Sequence, residues 1–277
     1  MILARYAVMG NPVAHSLSPR IHQLFARQTG IQLTYEKILV DIAGFEQQVE
    51  NFFAKKGCGL NITLPFKQRA FAMSEKVSDR GVVAKAVNTL WMHEGRLHAD
   101  NTDGVGLIKD LSRHVNVAGK AILLLGAGGA ARGVLGPLLD AKPKRLTIVN
   151  RTAEKAHALQ LDFLSANCCT VVDLAAHLET VSYDVVINAT SASFQDSALN
   201  LPISLLIKAP FCYDLAYHEN EETAFVLWAR RFGCEAYDGL GMLVEQAAEA
   251  FFIWHGVMPD TAPILGLLTT NSHSKNN

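Results

Sequence analysis

The 277-residue chain lacks an excess of charge of either sign. Its 25 Lys and Arg residues are balanced by 26 Asp and Glu residues, which gives a formal net charge of -1. A near-neutral chain has no general attraction to polyanions, so we expect no nucleic-acid partner. The chain also lacks an apolar run of ~18 residues without a charge, so we expect no membrane-spanning helix and no membrane partner.

Cysteine is scarce, and its spacing fits neither a disulfide framework nor a metal site. The five cysteines are odd in number and form no Cys-x-x-Cys pair, which is typical of reduced residues in a cytoplasmic protein. The ten histidines form no His-Glu-x-x-His motif, so we expect no metal site. Residues 1–6 lack the pattern of a secretory signal, and we therefore expect a cytoplasmic location.

The chain does have a large apolar fraction, arranged in alternating strands and helices. Apolar residues make up 49% and charged residues 18%, which is enough for a substantial core. Strand and helix patterns alternate from 103 to 238, which predicts an α/β fold with a doubly wound parallel sheet. Residues 1–102 carry strands and amphipathic helices of their own, including a helix over 45–54. We therefore predict two α/β domains, a Rossmann-type domain over 103–238 and a second domain formed by 1–102 and 239–277. The strands predicted in the second half are 121–125, 145–149, 170–172, 185–187, 211–214 and 235–237.

A glycine loop joins an apolar strand to a helix at residues 120–132. The run 121–125 is followed by Gly126, Gly128 and Ala131, which fit the spacing Gly-x-Gly-x-x-Gly/Ala. Gly126 allows a tight turn, Gly128 lets the backbone approach a pyrophosphate, and the small Ala131 lets the helix pack on the strand. The helix N-terminus adds free N–H groups. The loop predicts a dinucleotide site, with an ordinary glycine turn as the alternative.

The end of the next strand favours NADP over NAD. An NAD site usually has an acidic residue there, ~20 residues beyond the glycines, which bonds the ribose 2′-hydroxyl. This chain instead has Asn150, Arg151 and Thr152, followed by Lys155. A guanidinium can bind a 2′-phosphate through two hydrogen bonds, whereas a carboxylate would repel it. In the alternative interpretation the two cations are solvated and Thr152 caps the next helix.

Two serines on an extended loop could bind a carboxylate together. Ser16 and Ser18 are one residue apart and precede a helix that is expected to begin at Pro19. In the alternative interpretation Ser18 caps that helix and Ser16 is a turn residue. Asn61 and Thr63 alternate along a strand, so both side chains point to the same face. We expect these polar groups to face a small substrate.

Hydride transfer also needs a proton donor and acceptor beside the reacting oxygen. Lys67 follows Thr63 after a turn that contains a proline, and Asn88 and Asp103 end two further segments. These three side chains are candidates for that role and for holding the substrate. In the alternative interpretation Lys67 is solvated, and Asp103 or Thr102 caps the following helix.

Seven motifs follow one another along nearly the whole chain. They are Ser-Leu-Ser-Pro (16–19), Asn-Ile-Thr-Leu-Pro-Phe-Lys (61–67), Ala-Val-Asn-Thr (86–89), Asn-Thr-Asp-Gly (101–104), Gly-Ala-Gly-Gly-Ala-Ala-Arg (126–132), Asn-Arg-Thr (150–152) and Asp-Gly-Leu-Gly-Met-Leu-Val-x-Gln (238–246). In this order the chain resembles the shikimate dehydrogenases. The resemblance implies reversible, NADPH-dependent reduction of 3-dehydroshikimate to shikimate, in chorismate and aromatic amino-acid biosynthesis.

The resemblance also implies roles for individual residues. Lys67 would be the proton donor and acceptor at the C3 oxygen, and Asp103 would orient the substrate and share the proton network. The substrate would be bound by Ser16, Ser18, Asn61, Thr63, Lys67, Asn88, Asp103, Tyr217 and Gln246. The cofactor would be held by Gly126, Ala127, Gly128, Gly129, Ala130, Ala131, Arg132, Asn150, Arg151, Thr152, Lys155, Thr190, Leu215, Gly239 and Met242.

One loop departs from the family pattern, and some alternatives stay open. After Thr190 the family commonly has a glycine within two residues, whereas this chain has Ser191-Ala-Ser-Phe194, which puts the cofactor contacts of this loop in doubt. A quinate/shikimate dehydrogenase with relaxed substrate and NAD use would share the scaffold. A non-catalytic NADP-binding protein should have lost Lys67 and Asp103, and both are present. The chain is compatible with a monomer and with a homodimer.

Overall fold

The computed structural model describes residues 3–163, 169–171, 181–190 and 201–273, and it contains two sheets in two units of the chain. Unit 1 consists of Met1–Gly106 together with Leu243–Asn277, and unit 2 consists of Leu107–Met242. The chain passes between the units within two helices, Asp103–Leu111 and Leu240–His255. No helix of the described ranges is long and apolar enough to span a bilayer.

Unit 1 is built on a six-stranded mixed sheet. Its strands are β1 (Ala4–Gly10), β2 (Leu33–Leu39), β3 (Gly59–Ile62), β4 (Lys76–Val77), β5 (Thr89–His93) and β6 (Arg96–Asp100). Their order across the sheet is β2-β1-β3-β5-β6-β4. β1 runs parallel to both β2 and β3, and β5 runs antiparallel to β3 and β6. The carboxyl ends of β1 and β3 therefore lie at the same edge of the sheet.

Unit 1 also contains helices. They are α1 (Ser18–Thr29), α2 (Phe45–Ala54), α3 (Lys67–Met73), α4 (Asp79–Ala84), the helices α5 (Asp103–Leu111) and α9 (Leu240–His255) that run through both units, and α10 (Ala262–His273). The bounds of α2 are those predicted from the sequence, because Phe45, Val49 and Phe52 recur at helical spacing and are buried. Phe45 stacks on Phe66 with ring centroids 4.5 Å apart. The prediction that a helix begins at Pro19 with Ser18 as its cap was wrong, since α1 begins at Ser18 and Leu17 is its N-cap.

Unit 2 carries a six-stranded sheet in which every pair of neighbouring strands is parallel. Its strands are β7 (Ala121–Leu125), β8 (Arg145–Val149), β9 (Cys169–Val171), β10 (Val185–Asn188), β11 (Phe211–Asp214) and β12 (Ala236–Tyr237), in the order β12-β11-β10-β7-β8-β9. The helices α6 (Gly129–Asp140), α7 (Ala153–Leu161) and α8 (Ala224–Arg231) alternate with these strands. The doubly wound α/β prediction is confirmed. Residue 172 of the predicted strand 170–172 lies outside the described residues.

Two glycines of unit 2 sit where a side chain would not fit. Gly126 has φ +106°, and a Cβ there would lie 2.9 Å from the carbonyl oxygen of Ala189. A Cβ on Gly241 would lie 2.1 Å from Oδ1 of Asp110. That carboxylate is buried and accepts a hydrogen bond from the Tyr213 hydroxyl at 2.6 Å. The glycine therefore lets the start of α9 pack directly against the end of α5.

Candidate active site

A buried ion pair lies at the centre of the polar groups of unit 1. Lys67 is the first residue of α3, after a turn that contains the cis Leu64–Pro65 peptide, and Asp103 is the first residue of α5. Lys67 Nζ lies 2.6 Å from Asp103 Oδ2, and the two side chains are 13% and 5% exposed. Asp103 therefore does not serve as a simple helix cap, and Lys67 is not solvated. The ammonium has three N–H donors, so it could bond a ligand as well as this carboxylate.

The Asn88 amide fixes the other oxygen of this carboxylate. Its Nδ2 lies 2.9 Å from Asp103 Oδ1, 2.9 Å from Thr102 Oγ1 and 3.0 Å from Gln246 Oε1. Its Oδ1 accepts a hydrogen bond from the Thr102 N–H at 2.9 Å. The two hydrogens of the Asn88 amide nitrogen therefore lie near three acceptor oxygens. The site is rich in acceptors, which suits a ligand that brings hydroxyl donors.

Asn61 lies beside Asn88, and its amide contacts protein groups. Its Oδ1 accepts a hydrogen bond from the Tyr35 hydroxyl at 2.7 Å, and its Nδ2 donates to the Asn88 carbonyl at 3.1 Å and to Thr89 Oγ1 at 3.2 Å. Sequence reasoning missed Tyr35, because nothing in a strand pattern names a partner 26 residues away. Thr63 lies just beyond the end of β3 and is half-buried.

The two serines lie together, as the carboxylate hypothesis requires. Ser16 Oγ donates to Ser18 Oγ at 3.1 Å, and the Ser18 N–H donates to Ser16 Oγ at 3.3 Å. No side-chain hydrogen bond caps α1, so the alternative in which Ser18 is a cap is not what the structure shows. Both hydroxyls stand at the start of a helix, where the dipole favours an anion.

In unit 2 the glycine loop leaves open space in front of a helix. Gly128 is the N-cap of α6, and a Cβ on it would meet nothing within 4 Å. The first turn of α6 contains no acidic residue. Ala131 is fully buried against the strands. These features fit a pyrophosphate at the helix N-terminus. Ala127 is also buried, while Gly129 and Ala130 begin α6.

Arg132, predicted to hold the cofactor, is engaged within the protein. Its Nη1 lies 2.6 Å from Asp162 Oδ2, and both side chains are largely buried. This ion pair joins α6 to the end of α7. Any contact of Arg132 with a phosphate would have to share the guanidinium with that carboxylate.

The end of β8 presents cations to solvent. Asn150 Nδ2 donates to the Thr152 carbonyl at 2.8 Å, which fixes the turn. Arg151 and Lys155 are exposed. Thr152 is the N-cap residue of α7 but makes no side-chain cap hydrogen bond. Glu154, in the first turn of α7, is an exposed carboxylate that the pattern at the strand end did not indicate. The strand tip itself carries no acid, which fits a 2′-phosphate.

A hydrogen-bond network that sequence reasoning missed joins the ends of β10 and β11. Asn188 Nδ2 donates to Asp214 Oδ1 at 3.0 Å, and Thr223 Oγ1 donates to Asp214 Oδ2 at 2.7 Å. Thr190 Oγ1 donates to Asn188 Oδ1 at 2.8 Å, and the Leu215 N–H donates to the Asn188 carbonyl at 2.8 Å. The network brings Thr190 and Leu215, both predicted cofactor contacts, to one edge of the sheet. The predicted departure at 191–194 lies outside the described residues.

The start of α9 packs on the same edge. The Gly239 N–H donates to the Ala216 carbonyl at 2.9 Å, and a Cβ on Gly239 would lie 2.3 Å from the Leu215 oxygen. The Met242 N–H donates to the Tyr213 hydroxyl at 3.3 Å. Gly239, Leu215 and Met242 are therefore neighbours. Tyr217, the remaining predicted substrate contact, is half-buried three residues beyond β11.

Asp238, just before this helix, has a perturbed acidity. Its pKa is raised to about 6, mainly by burial and also by the charges of Asp214 and Asp110, while the hydrogen bond from the Leu240 N–H opposes the shift. Within the described ranges, no group of three His, Cys, Asp or Glu side chains could hold a metal ion.

Comparisons with known proteins cover both units. Residues 8–90 match the family model described as the shikimate dehydrogenase substrate binding domain, residues 109–195 match shikimate / quinate 5-dehydrogenase, and residues 239–268 match the shikimate 5'-dehydrogenase C-terminal domain.

Individual relatives match over nearly the whole chain. A curated shikimate dehydrogenase (NADP(+)) of Legionella pneumophila (strain Lens) is 56% identical over 264 residues, which are 95% of this chain and 98% of the relative. One of Cupriavidus necator is 45% identical and covers 95% of this chain and 92% of the relative. The solved structure of shikimate 5-dehydrogenase from Thermus thermophilus in complex with NADP(H) and shikimate is 32% identical, with a TM-score of 0.85 over 97% of this chain and 99% of that one.

Proposed function

The chain belongs to the shikimate dehydrogenase family, and on that premise we propose that it catalyses the reversible, NADP-dependent interconversion of shikimate and 3-dehydroshikimate. The observation that carries the proposal is the buried Lys67–Asp103 pair beside the acceptor-rich amides of Asn88 and Gln246. The Lys67 ammonium can donate a proton to a ketone that binds beside it. The amides can form hydrogen bonds with the hydroxyl groups of a polyol. The curated relatives named above carry this activity in their names.

Lys67 handles the proton of this reaction. When bound, NADPH supplies the hydride that is added to the C3 carbon. The Lys67 ammonium gives its proton to the C3 oxygen as that oxygen gains charge, and the amine regains a proton from solvent. In the oxidative direction the amine takes the hydroxyl proton. Asp103 holds Nζ in place at 2.6 Å and is itself fixed by Asn88 at 2.9 Å.

The remaining polar groups of unit 1 bind the substrate. Ser16 and Ser18 bind its carboxylate, because their adjacent hydroxyls stand at the start of α1. Its ring hydroxyls are bound by Asn61, Thr63, Asn88 and Gln246. Tyr217 is a further proposed contact to the carboxylate. A site that hydrogen-bonds each hydroxyl discriminates strongly against substrates that lack one.

Unit 2 holds the cofactor. The backbone of the glycine loop, from Gly126 to Arg132, takes the pyrophosphate at the start of α6, where Gly128 leaves space. Arg151 takes the 2′-phosphate, with Asn150, Thr152 and Lys155 around it. The nicotinamide side is lined by Thr190, Leu215, Gly239 and Met242.

The proposed location is the cytoplasm, and the proposed partners are small molecules. Cys58, Cys212 and Cys234, the described cysteines with placed side chains, are free thiols, as in proteins of reducing compartments. A homodimer stays a prediction, which sedimentation equilibrium would test.

Absorbance at the NADPH band tests the proposed reaction. Purified protein is mixed with shikimate and NADP, and parallel samples contain quinate or NAD. Rapid reduction with shikimate and NADP alone supports the proposal. Equal rates with quinate or NAD would favour the broader quinate/shikimate dehydrogenase, and no turnover with any pair would overturn the roles of Lys67 and Asp103.

A further inference from the structure

Arg80 stands at the centre of an ion-pair cluster in unit 1 that the catalytic scheme does not use. It lies in the first turn of α4, and its guanidinium makes two hydrogen bonds to Asp100, Nε to Oδ1 and Nη2 to Oδ2, each 2.7 Å long. Nη1 and Nη2 also lie 3.2 Å from Glu249 Oε1 on α9. A planar guanidinium can hold two carboxylates in fixed directions, which an ammonium cannot.

One side of the cluster leads to Asp103. Asp100 is the last residue of β6 and is 9% exposed. Its Oδ1 accepts from the Asn101 N–H at 2.6 Å and from the Ser78 hydroxyl. Asn101 Oδ1 in turn accepts from the Asp103 N–H at 3.0 Å, and Asn101 Nδ2 donates to the Ala86 carbonyl at 2.8 Å. The backbone that presents the Asp103 carboxylate is thus anchored, through Asp100, on Arg80.

The other side leads to Gln246. Glu249 lies three residues after Gln246 on α9, so the two side chains share a helix face. Gln246 Oε1 accepts from Asn88 Nδ2 at 3.0 Å, and Asn88 also bonds Asp103. Arg80 therefore ties the strand end that precedes Asp103 to the helix that carries Gln246.

We propose that Arg80 is a positioning residue of the active site, which sets Asp103 and Gln246 relative to each other through Asp100 and Glu249. The roles of Asp103 and Gln246 in it rest on the proposed function. Because Arg80 bonds Asp100 and Glu249 rather than the proton-handling pair itself, its effect is on geometry. A small displacement of a catalytic group is enough to lower turnover, since a misplacement of about 1 Å can cost about 100-fold.

Steady-state kinetics of Arg80→Met, Arg80→Lys and Glu249→Gln test the proposal. We expect Arg80→Met to lower kcat about 10- to 100-fold and to raise the KM for shikimate, with the KM for NADP unchanged. Arg80→Lys should recover part of the loss, because it keeps the charge but not the two-pronged geometry. Glu249→Gln should lower kcat about 3-fold, since it weakens one of the two connections and leaves the pair with Asp100.

Glu36→Gln is the matched control. Glu36 on β2 pairs with Arg5 at 3.3 Å in the same unit and has no place in the site. Thermal melts of every variant establish that kinetics are measured on folded protein. A folded Arg80→Met with wild-type kcat would overturn the proposal. If that variant does not fold, the proposal is overturned when Arg80→Lys and Glu249→Gln both behave like Glu36→Gln.

A second readout does not depend on turnover. The acetylation rate of Lys67 by acetic anhydride, followed by mass spectrometry, reports how firmly Asp103 holds the ammonium. We expect the rate to rise several-fold in Arg80→Lys and Glu249→Gln, whereas an unchanged rate in both would overturn the proposal. Failure of the proposed function would show separately, as a wild-type protein that does not oxidise shikimate.

Discussion

The two units hold the carboxylates near the ends of their strands in different ways. In unit 1 the buried carboxylates of the site are matched by cations, Asp103 by Lys67 at 2.6 Å and Asp100 by Arg80 at 2.7 Å. In unit 2 the carboxylates at the ends of the strands accept from neutral groups, Asp214 from Asn188 and Thr223, and Asp238 from the Leu240 N–H. The exposed Arg151 and Lys155 of unit 2 stand apart from this network on the end of β8 and the start of α7.

Under the proposed function, this difference matches what each unit would have to do. Proton transfer needs a cation held at a defined place, so unit 1 keeps an ammonium on a carboxylate in a largely buried site. Binding a nucleotide would need a fixed backbone and accessible cations; unit 2 uses amides and hydroxyls to fix its loops, and its Arg151 and Lys155 are exposed, where they could meet a phosphate. Carboxylates that lack a bound cation are harder to ionise when they are buried together. The pKa of Asp238 is accordingly raised by burial and by the neighbouring carboxylates Asp214 and Asp110.

The largest expected effect comes from removing the cation of unit 1. Lys67→Ala should lower kcat about 100- to 10,000-fold, the range for lost general acid–base catalysis. Initial rates at saturating shikimate and NADP measure it. Lys76→Ala, an exposed lysine on β4, is the control and should keep its rate. A near-normal kcat for Lys67→Ala would remove this lysine from the proton role.

A buried group of unit 1 without a counter-charge should give the next largest effect. Burial, together with the charge of His255, lowers the pKa of His22 to about 3 against the opposing influence of the Asn61 side chain. The folded state keeps His22 neutral, while the unfolded state binds a proton below its pKa of about 6.5. Stability should therefore fall as the pH drops from about 6.5 towards 3, by about 1.4 kcal/mol for each pH unit.

Urea unfolding of His22→Phe between pH 7.5 and pH 5 checks this slope. Phenylalanine keeps a ring against Tyr35, on which His22 stacks at 4.3 Å, and it cannot be protonated. The variant should lose less stability than the wild type over this range. His157→Phe, at an exposed position of unit 2, should not flatten the slope. Parallel slopes for wild type and His22→Phe would contradict the prediction.

Removing a cation of unit 2 should change the choice of cofactor. Arg151→Ala should raise the KM for NADP about 10- to 100-fold, the value of one charge-assisted contact of about 1.5 to 3 kcal/mol. The KM for NAD, which has no 2′-phosphate, should stay the same. Arg231→Ala, an exposed arginine of the same unit, is the control. Equal KM changes for NADP and NAD would show that Arg151 does not recognise the phosphate.

The smallest expected effect concerns the carboxylate of unit 2 with the raised pKa. The pKa of Asp238 is raised to about 6, so its contribution to stability is full below about 4 and is lost as the pH rises through 6. Asp238→Asn stays neutral and can still accept from the Leu240 N–H. At pH 7.5 it should be more stable than the wild type by about 1 kcal/mol, a value reduced for its partial exposure.

Urea unfolding at pH 7.5 and pH 4 measures this difference, which should shrink at the lower pH. Asp260→Asn is a matched control, because Asp260 is exposed and accepts from the Ala262 N–H at 3.1 Å, as Asp238 does from Leu240 at 3.1 Å. Equal behaviour of the two variants would argue against the role of burial at Asp238.

Segments with a regular apolar period, and segments that end at glycines, could be predicted from the sequence. The bounds of α2 follow from its aromatic stripe, and the strand, glycine loop and helix at 121–140 follow from an apolar run with Gly126 and Gly128. Lys67, Asn88 and Asp103 could be named as candidates, because each is a polar residue near the end of a predicted segment. Such features are local, and local patterns are what a single sequence contains.

Contacts between distant residues could not be predicted in the same way. Arg80 and Glu249 are 169 positions apart, and Tyr213 and Asp110 are 103 apart. α4 has six residues and β4 has two. Elements this short do not display a recognisable period of apolar residues. The sequence therefore indicates which polar groups form the site, but not which residues hold them in place.

The contact between Gly241 and Asp110 has a consequence for how this chain can vary. The place where a Cβ of residue 241 would stand is filled by the carboxylate of residue 110, so a side chain at position 241 requires a smaller residue at position 110. We expect the two to be inherited as a pair. A relative with alanine at position 241 should carry a residue shorter than aspartate at position 110, and a library randomised at both positions should recover functional clones only in such matched combinations.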